Sequence, residues 1–203
     1  MKNFGELTIC GKLHGGLKMR THWVDDTQIK LILAAMMPAN RLAIEVSEAT
    51  GLRIDDVLSL KTETIQETNR PTVVDSKTGK KHRIYLKNEL RERMLKQAGK
   101  VWVFPGRVKP LTKHRTRQAV WKDMTQAAAI FKRNGTIENT VGTVSPHTAR
   151  KRAAVAAFRL GGLDKAREVL VHSDSDAAVT LLYALSDQAP KIKKKSSRKK
   201  KKP

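Results

Sequence analysis

Apolar positions recur every three or four residues along most of the chain, the spacing of helices that bury one face. Ile29, Ile32, Leu33 and Met36 form one such stripe, and Asp25 or Asp26 suits the cap of a helix starting at Thr27. Pro38 ends that helix and fits the first turn of a second, running to about Ala49. Gly51 then punctuates the chain, and Ile54, Val57, Leu58 and Leu60 predict a short helix over residues 53–60. The texture changes between Lys61 and Leu86. Thr62, Thr64 and Ile65, then residues 72–74, then residues 82–86 are β-prone runs, separated by Asn69-Arg70-Pro71 and by Ser76-Lys77-Thr78-Gly79-Lys80. They predict a small three-stranded antiparallel sheet. Helical spacing resumes over 89–97 and 115–133, with Ala119, Met124, Ala127 and Ala128 on one side. A Gly- and Thr-bearing loop at 134–144 follows. Pro146 and His147 open a helix to about Leu160, with Ala149, Ala153, Ala156 and Ala157 at core spacing, and Gly161-Gly162 stops it. Short helices are expected over 164–170 and 176–185, before Pro190. The fold class is therefore mainly α with a small antiparallel sheet, an α+β arrangement.

Both ends break the pattern. Gly5, Gly11, Gly15 and Gly16 interrupt residues 1–24, which read as an N-terminal arm with a short strand around residues 7–9. Residues 188–203 read as a basic tail expected to be disordered, leaving residues 25–187 as one domain.

Composition sharpens this. The chain has 203 residues, enough for one real core, and only 4% aromatics, so that core rests on Leu, Ile, Val, Ala and Met. Net charge is +22; nine basic residues lie in the last thirteen positions, and removing those nine leaves +13 on the body. A body this basic, and not the tail alone, points to a polyanionic partner, nucleic acid ahead of a membrane surface. Arg107, Lys109, Lys113, His114, Arg115 and Arg117 cluster around a loop and a helix start, the pattern of phosphate positioning rather than base reading. Cys10 stands alone, which excludes an internal disulfide framework and a cysteine-based zinc site and fits a reducing cytosol. No apolar run approaches the ~20 residues of a membrane span, and no apolar signal core precedes Gly15, so a cytoplasmic protein with no membrane partner is expected.

No carboxylate metal cluster, P-loop or Gly-rich dinucleotide turn is present. Breaking a DNA phosphodiester without them needs a nucleophile, cations for the charge of the five-coordinate phosphorus, and an acid for the departing 5′-oxygen. Five stretches supply such groups in order: Ala49-Thr50-Gly51-Leu52-Arg53-Ile54-Asp55-Asp56, Asp75-Ser76-Lys77-Thr78-Gly79-Lys80-Lys81-His82, Ser145-Pro146-His147-Thr148-Ala149-Arg150, Leu170-Val171-His172-Ser173 and Thr180-Leu181-Leu182-Tyr183-Ala184. Together they resemble the ordered boxes of the tyrosine recombinases, or phage integrases, across most of residues 25–187.

The resemblance implies a fold, a reaction and roles. Arg53 is the first catalytic arginine, with Asp56 supporting it; Lys77 sits on a β-hairpin as the acid for the leaving 5′-hydroxyl. His147, Arg150 and His172 complete the phosphate-binding set, and Tyr183 is the nucleophile. Lys80 and Lys81 touch DNA beside Lys77. The residue types suit these tasks. Arginine forks grip phosphate oxygens, and histidines donate to them or move protons. A tyrosine, ionising at about 10 in water, needs a nearby base or cationic field. The implied activity is site-specific cleavage and rejoining of double-stranded DNA through a 3′-phosphotyrosyl intermediate, with no metal, ATP or other cofactor. The resemblance also implies a phage-encoded or prokaryotic, nucleoid-associated protein that forms a homo-tetramer on DNA through its C-terminal segment.

The chain departs from the family pattern in four places. Val171 replaces a glycine; the interval from His172 to Tyr183 is long; Lys151-Arg152 follows Arg150 where the family has His-Ser or His-Thr; and about 25 residues precede the domain where the family carries a helical DNA clamp. The competing readings are a DNA-bound regulator or accessory protein on the same fold, a topoisomerase-like relaxing enzyme and a basic RNA-binding protein.

Overall fold

Helix α1 (Asp26–Ala35) begins where a carboxylate caps it: Asp25 accepts the Gln28 N–H at 2.8 Å, and Gln28 Oε1 accepts the Asp25 N–H in return. This settles the choice of cap on Asp25. The structure is a computed structural model and describes residues 24–107, 112–137, 144–170 and 177–185. The expectations for the arm before Val24, for Lys109, for His172 and for the tail lie outside the described residues.

Pro38 occupies the first turn of α2 (Pro38–Thr50), whose apolar side, including Leu42, Ile44 and Val46, is buried. Gly51 ends α2 in the left-handed conformation, φ 73°, and its N–H returns to the Ser47 carbonyl. A Cβ there would lie 2.5 Å from Val169 Cγ1 and 2.6 Å from the Val169 carbonyl oxygen. Gly51→Ala is thus expected to destabilise the fold by about 3 kcal/mol, combining left-handed strain with overpacking. Urea unfolding checks this.

After α3 (Ile54–Leu58) comes a structural correction to the expected elements. The run at Thr62, Thr64 and Ile65 is not a strand but α4 (Thr62–Glu67). Its buried residues, Thr62 and Ile65, are three apart, with Glu63, Gln66 and Glu67 exposed. That is helical spacing, and it outweighs the β-propensity of threonine. Extended pairing here shrinks to a bridge between Lys61 and Trp102. The sheet accordingly has two strands, β1 (Thr72–Val74) and β2 (Lys81–Arg83), antiparallel with Val73 opposite His82. Beyond β2 the chain keeps isolated bonds, Ile84 N–H to Pro71 and Leu86 N–H to Asn69.

Helices α5 (Asn88–Gln97) and α6 (Arg117–Arg133) follow. The long helix α7 (His147–Leu170) is broken at Gly161-Gly162, as the glycine pair predicts, and α8 (Ala177–Ala184) packs on it. Helix α7 also packs on α2, so both arginine-bearing segments share one core with Phe104, Ile44, Leu58 and Met124. Arg152 fastens this centre to the start of the chain. It donates to Glu48 on α2 at 2.8 Å, to Asp26 on α1 at 2.5 Å and to the Val24 carbonyl at 3.0 Å.

Candidate active site

Arg53 stands where it does because the turn before it is over-determined. Ser47 Oγ donates to the Leu52 carbonyl and Thr50 Oγ1 to the Val46 carbonyl, both at 2.7 Å, while Gly51 supplies the left-handed residue. Arg53 then emerges in extended conformation as the cap position of α3, one-fifth exposed.

Its acidic partner is Asp75, not Asp56. Arg53 donates to Asp75 Oδ2, and Asp75 is buried. The other oxygen, Oδ1, accepts the N–H groups of Lys77 and Thr78 at 3.0 and 2.8 Å and the Thr78 hydroxyl at 3.0 Å. One carboxylate thereby orients the arginine and shapes the turn that carries Lys77. Asp56 supports the same hairpin from below, with Oδ1 accepting the Ser76 N–H at 3.0 Å. The side chains of Lys77, Lys80 and Lys81 are exposed around this turn. Asp75→Asn removes the charge that holds Arg53 while leaving an oxygen for the turn. On the strand cleavage that the sequence resemblance implies, lost pre-organisation of this kind is expected to slow the reaction roughly ten- to a hundredfold, with a loss of about 1–3 kcal/mol in unfolding free energy. Single-turnover rates and denaturant curves on one preparation test both.

On the facing side, the first turns of α7 present His147 and Arg150, three apart and on one face. Arg150 is almost fully buried and donates to the Gly51 and Leu170 carbonyls, at 2.5 Å for the latter. Burial, and then the nearby charge of Arg53, lower its pKa to about 10, partly offset by Tyr183 and Asp56. His147 is drawn below the ordinary histidine value by the protein packed around its ring, then by Arg150, Arg53, Lys151 and Arg117. The shift favours its neutral imidazole form.

Arg53, His147 and Arg150 line a single cavity of about 640 Å³, together with Arg117, Ser145 and Trp121. Arg117 pairs with Asp55 at 3.3 Å on the rim, and the Trp121 indole is about half exposed. Tyr183 is half-buried on α8 against α7, with the Lys151 ammonium 5.8 Å from the centre of its ring. The other expected DNA contacts divide. Arg107 and Lys113 are exposed beside a second cavity of about 670 Å³, whereas Arg115 there is half-buried and donates to Asn40 at 3.1 Å. Burial and the neighbouring Arg107 lower the pKa of Arg115.

The sequence profile of the phage integrase family matches residues 22–189. The chain belongs to that family. No curated protein matches it by sequence. Among solved structures, this chain is similar to a lambda integrase (75–356) dimer bound to a COC′ core site. The TM-score is 0.64 at 20% identity, covering 81% of this chain and 60% of that one. It is also similar to XerA recombinase, with TM-score 0.61 and 17% identity over 82% of this chain and 59% of that one. A third is XerH site-specific recombinase bound to palindromic difH substrate in a post-cleavage complex. There the TM-score is 0.61 at 18% identity, over 84% and 51% of the two chains. The chain thus spans about three-fifths of the length of the first two. These likenesses establish the catalytic-domain fold of tyrosine recombinases.

Two residues have a place at the site that the ordered boxes alone do not assign. Asp75 lies at the start of a Ser-Lys-Thr-Gly turn, a signal for an Asx-type turn. Trp121 carried no signal beyond being an apolar residue off the buried face of α6.

Proposed function

We propose that this domain cleaves and rejoins double-stranded DNA at specific sites, with Tyr183 as the nucleophile and a 3′-phosphotyrosyl intermediate that needs no metal or ATP. The observation that carries the reading is the convergence of Arg53, Arg150, His147 and Arg117 on one cavity, with Tyr183 outside its lining but near enough to Arg150 for their charges to interact. Like charges held this close depress one another's pKa values, and an entering anion relieves that repulsion. A phosphodiester is the anion a protein of net charge +22 gathers.

In this reading Arg53 and Arg150 bind the non-bridging oxygens and stabilise the charge that grows on them. Tyr183 Oη bonds to phosphorus as the bond to the 5′-oxygen breaks. The phenol proton passes to neutral His147, and the Lys77 ammonium protonates the 5′-oxygen. His172 adds a further donor to the phosphate. The ester energy is retained in the tyrosyl link, so the reverse attack by a 5′-hydroxyl reseals a strand. Lys80, Lys81, Arg107, Lys109, Lys113, Arg115 and Arg117 serve as phosphate contacts along the duplex. Assembly as a tetramer on DNA pairs two sites.

The test is incubation of the chain, in chelator, with nicked suicide duplexes carrying candidate attachment sites. A covalent protein–DNA adduct stable to denaturant is the expected result. Tight binding with no adduct on any of them would instead make the protein a DNA-bound accessory on the same fold.

A further inference from the structure

Lys151 is the residue that follows Arg150, and it is buried. Burial of a lysine requires compensation, since its ammonium is the most strongly hydrated of the cationic side chains. The structure points that ammonium at an aromatic face: Lys151 Nζ lies 5.8 Å from the Tyr183 ring centroid, within the ~6 Å reach of a cation–π contact. The contact joins α7 to α8, the element that carries Tyr183. Lys151 is also four residues from His147 on the same helical face, so one turn of α7 holds both the phosphate-facing groups and the neighbour of the tyrosine.

We propose, on the footing that Tyr183 is the nucleophile, that Lys151 is a positioning residue. Its ammonium holds the Tyr183 ring against α7 and supplies positive charge near the oxygen that becomes anionic as it attacks.

This arrangement has a built-in signature. Burial lowers the Lys151 pKa from 10.5 to about 8. The ammonium is therefore charged below that pH and becomes a neutral amine above it, which removes the cation–π attraction and the field together. Among the described residues, the titratable groups that interact with it include His147 on α7 and Tyr183 on α8, while Glu48 on α2 is engaged by Arg152. An arginine at 151 stays charged throughout this range.

The experiment measures single-turnover adduct formation at saturating suicide duplex for the full chain, Lys151→Met and Lys151→Arg, on both sides of pH 8. Lys151→Met is expected to react roughly tenfold more slowly at pH 7 with unchanged duplex affinity, and Lys151→Arg to restore the rate. The ratio of wild-type to Lys151→Arg rates is expected to fall as pH rises through about 8. A Lys151→Met rate equal to wild type, or a ratio flat with pH, overturns the proposal. Should Lys151→Met fail to fold, the pH dependence of that ratio decides alone. Absence of any wild-type adduct would count against the strand-cleavage reading itself, so the two failures are distinguishable.

Discussion

Tyr183→Phe is expected to lower adduct formation by a factor on the order of 10⁴ or more, to the background of the assay, because no other group replaces an attacking oxygen. Duplex affinity should stay within about twofold, since binding rests on phosphate contacts spread over the basic surface. The substitution removes one hydroxyl and keeps the ring that faces Lys151, and denaturant unfolding of both forms separates a chemical loss from a structural one. Tyr85, the chain's second tyrosine, serves as the control. It lies just past β2, about half exposed, with Arg70 5.2 Å from its ring centre. Tyr85→Phe should react at the wild-type rate.

Arg150 is expected to be the most sensitive of the cations, in two separable ways. Its guanidinium reaches the Gly51 and Leu170 carbonyls at once. Arg150→Lys keeps the charge but not the fork, leaving at least one buried carbonyl without its donor, at about 2–3 kcal/mol of stability. The same change removes planar recognition of phosphate, and loss of a pre-organised donor of this kind costs roughly 10²- to 10³-fold in rate. Denaturant unfolding reads the first effect and single-turnover adduct formation the second. Arg53→Lys isolates the catalytic part, because Arg53 is one-fifth exposed and its anchor is the side chain of Asp75. It should show a comparable rate loss with a smaller change in stability.

The two substitutions also mark how far the residue pattern reaches. Helices α1, α2, α6 and the Gly161-Gly162 break are readable because apolar spacing, Pro38, Gly51 and the glycine pair are local signals. The helix α4 is not, since Thr62 and Thr64 favour strands and only the burial of Thr62 with Ile65 reveals a helical face. The catalytic types are readable as ordered boxes, and Arg53, His147 and Arg150 do meet in one cavity. Which carboxylate holds Arg53 is not, because Asp56 is near in sequence whereas Asp75 is brought there by the hairpin. Lys151 is visible in the chain only as a departure from the family's usual residue. Its meaning comes from the ring it faces, a contact between positions 32 residues apart.

The central claim, that the Tyr183 oxygen becomes joined to DNA, is tested most directly by isolating the adduct, digesting it and locating the nucleotide-bearing peptide by mass spectrometry. The account predicts one modified residue, Tyr183, linked to a 3′-phosphate with a free 5′-hydroxyl on the released strand. Linkage through any other residue, or a 5′-phosphate attachment, would contradict it.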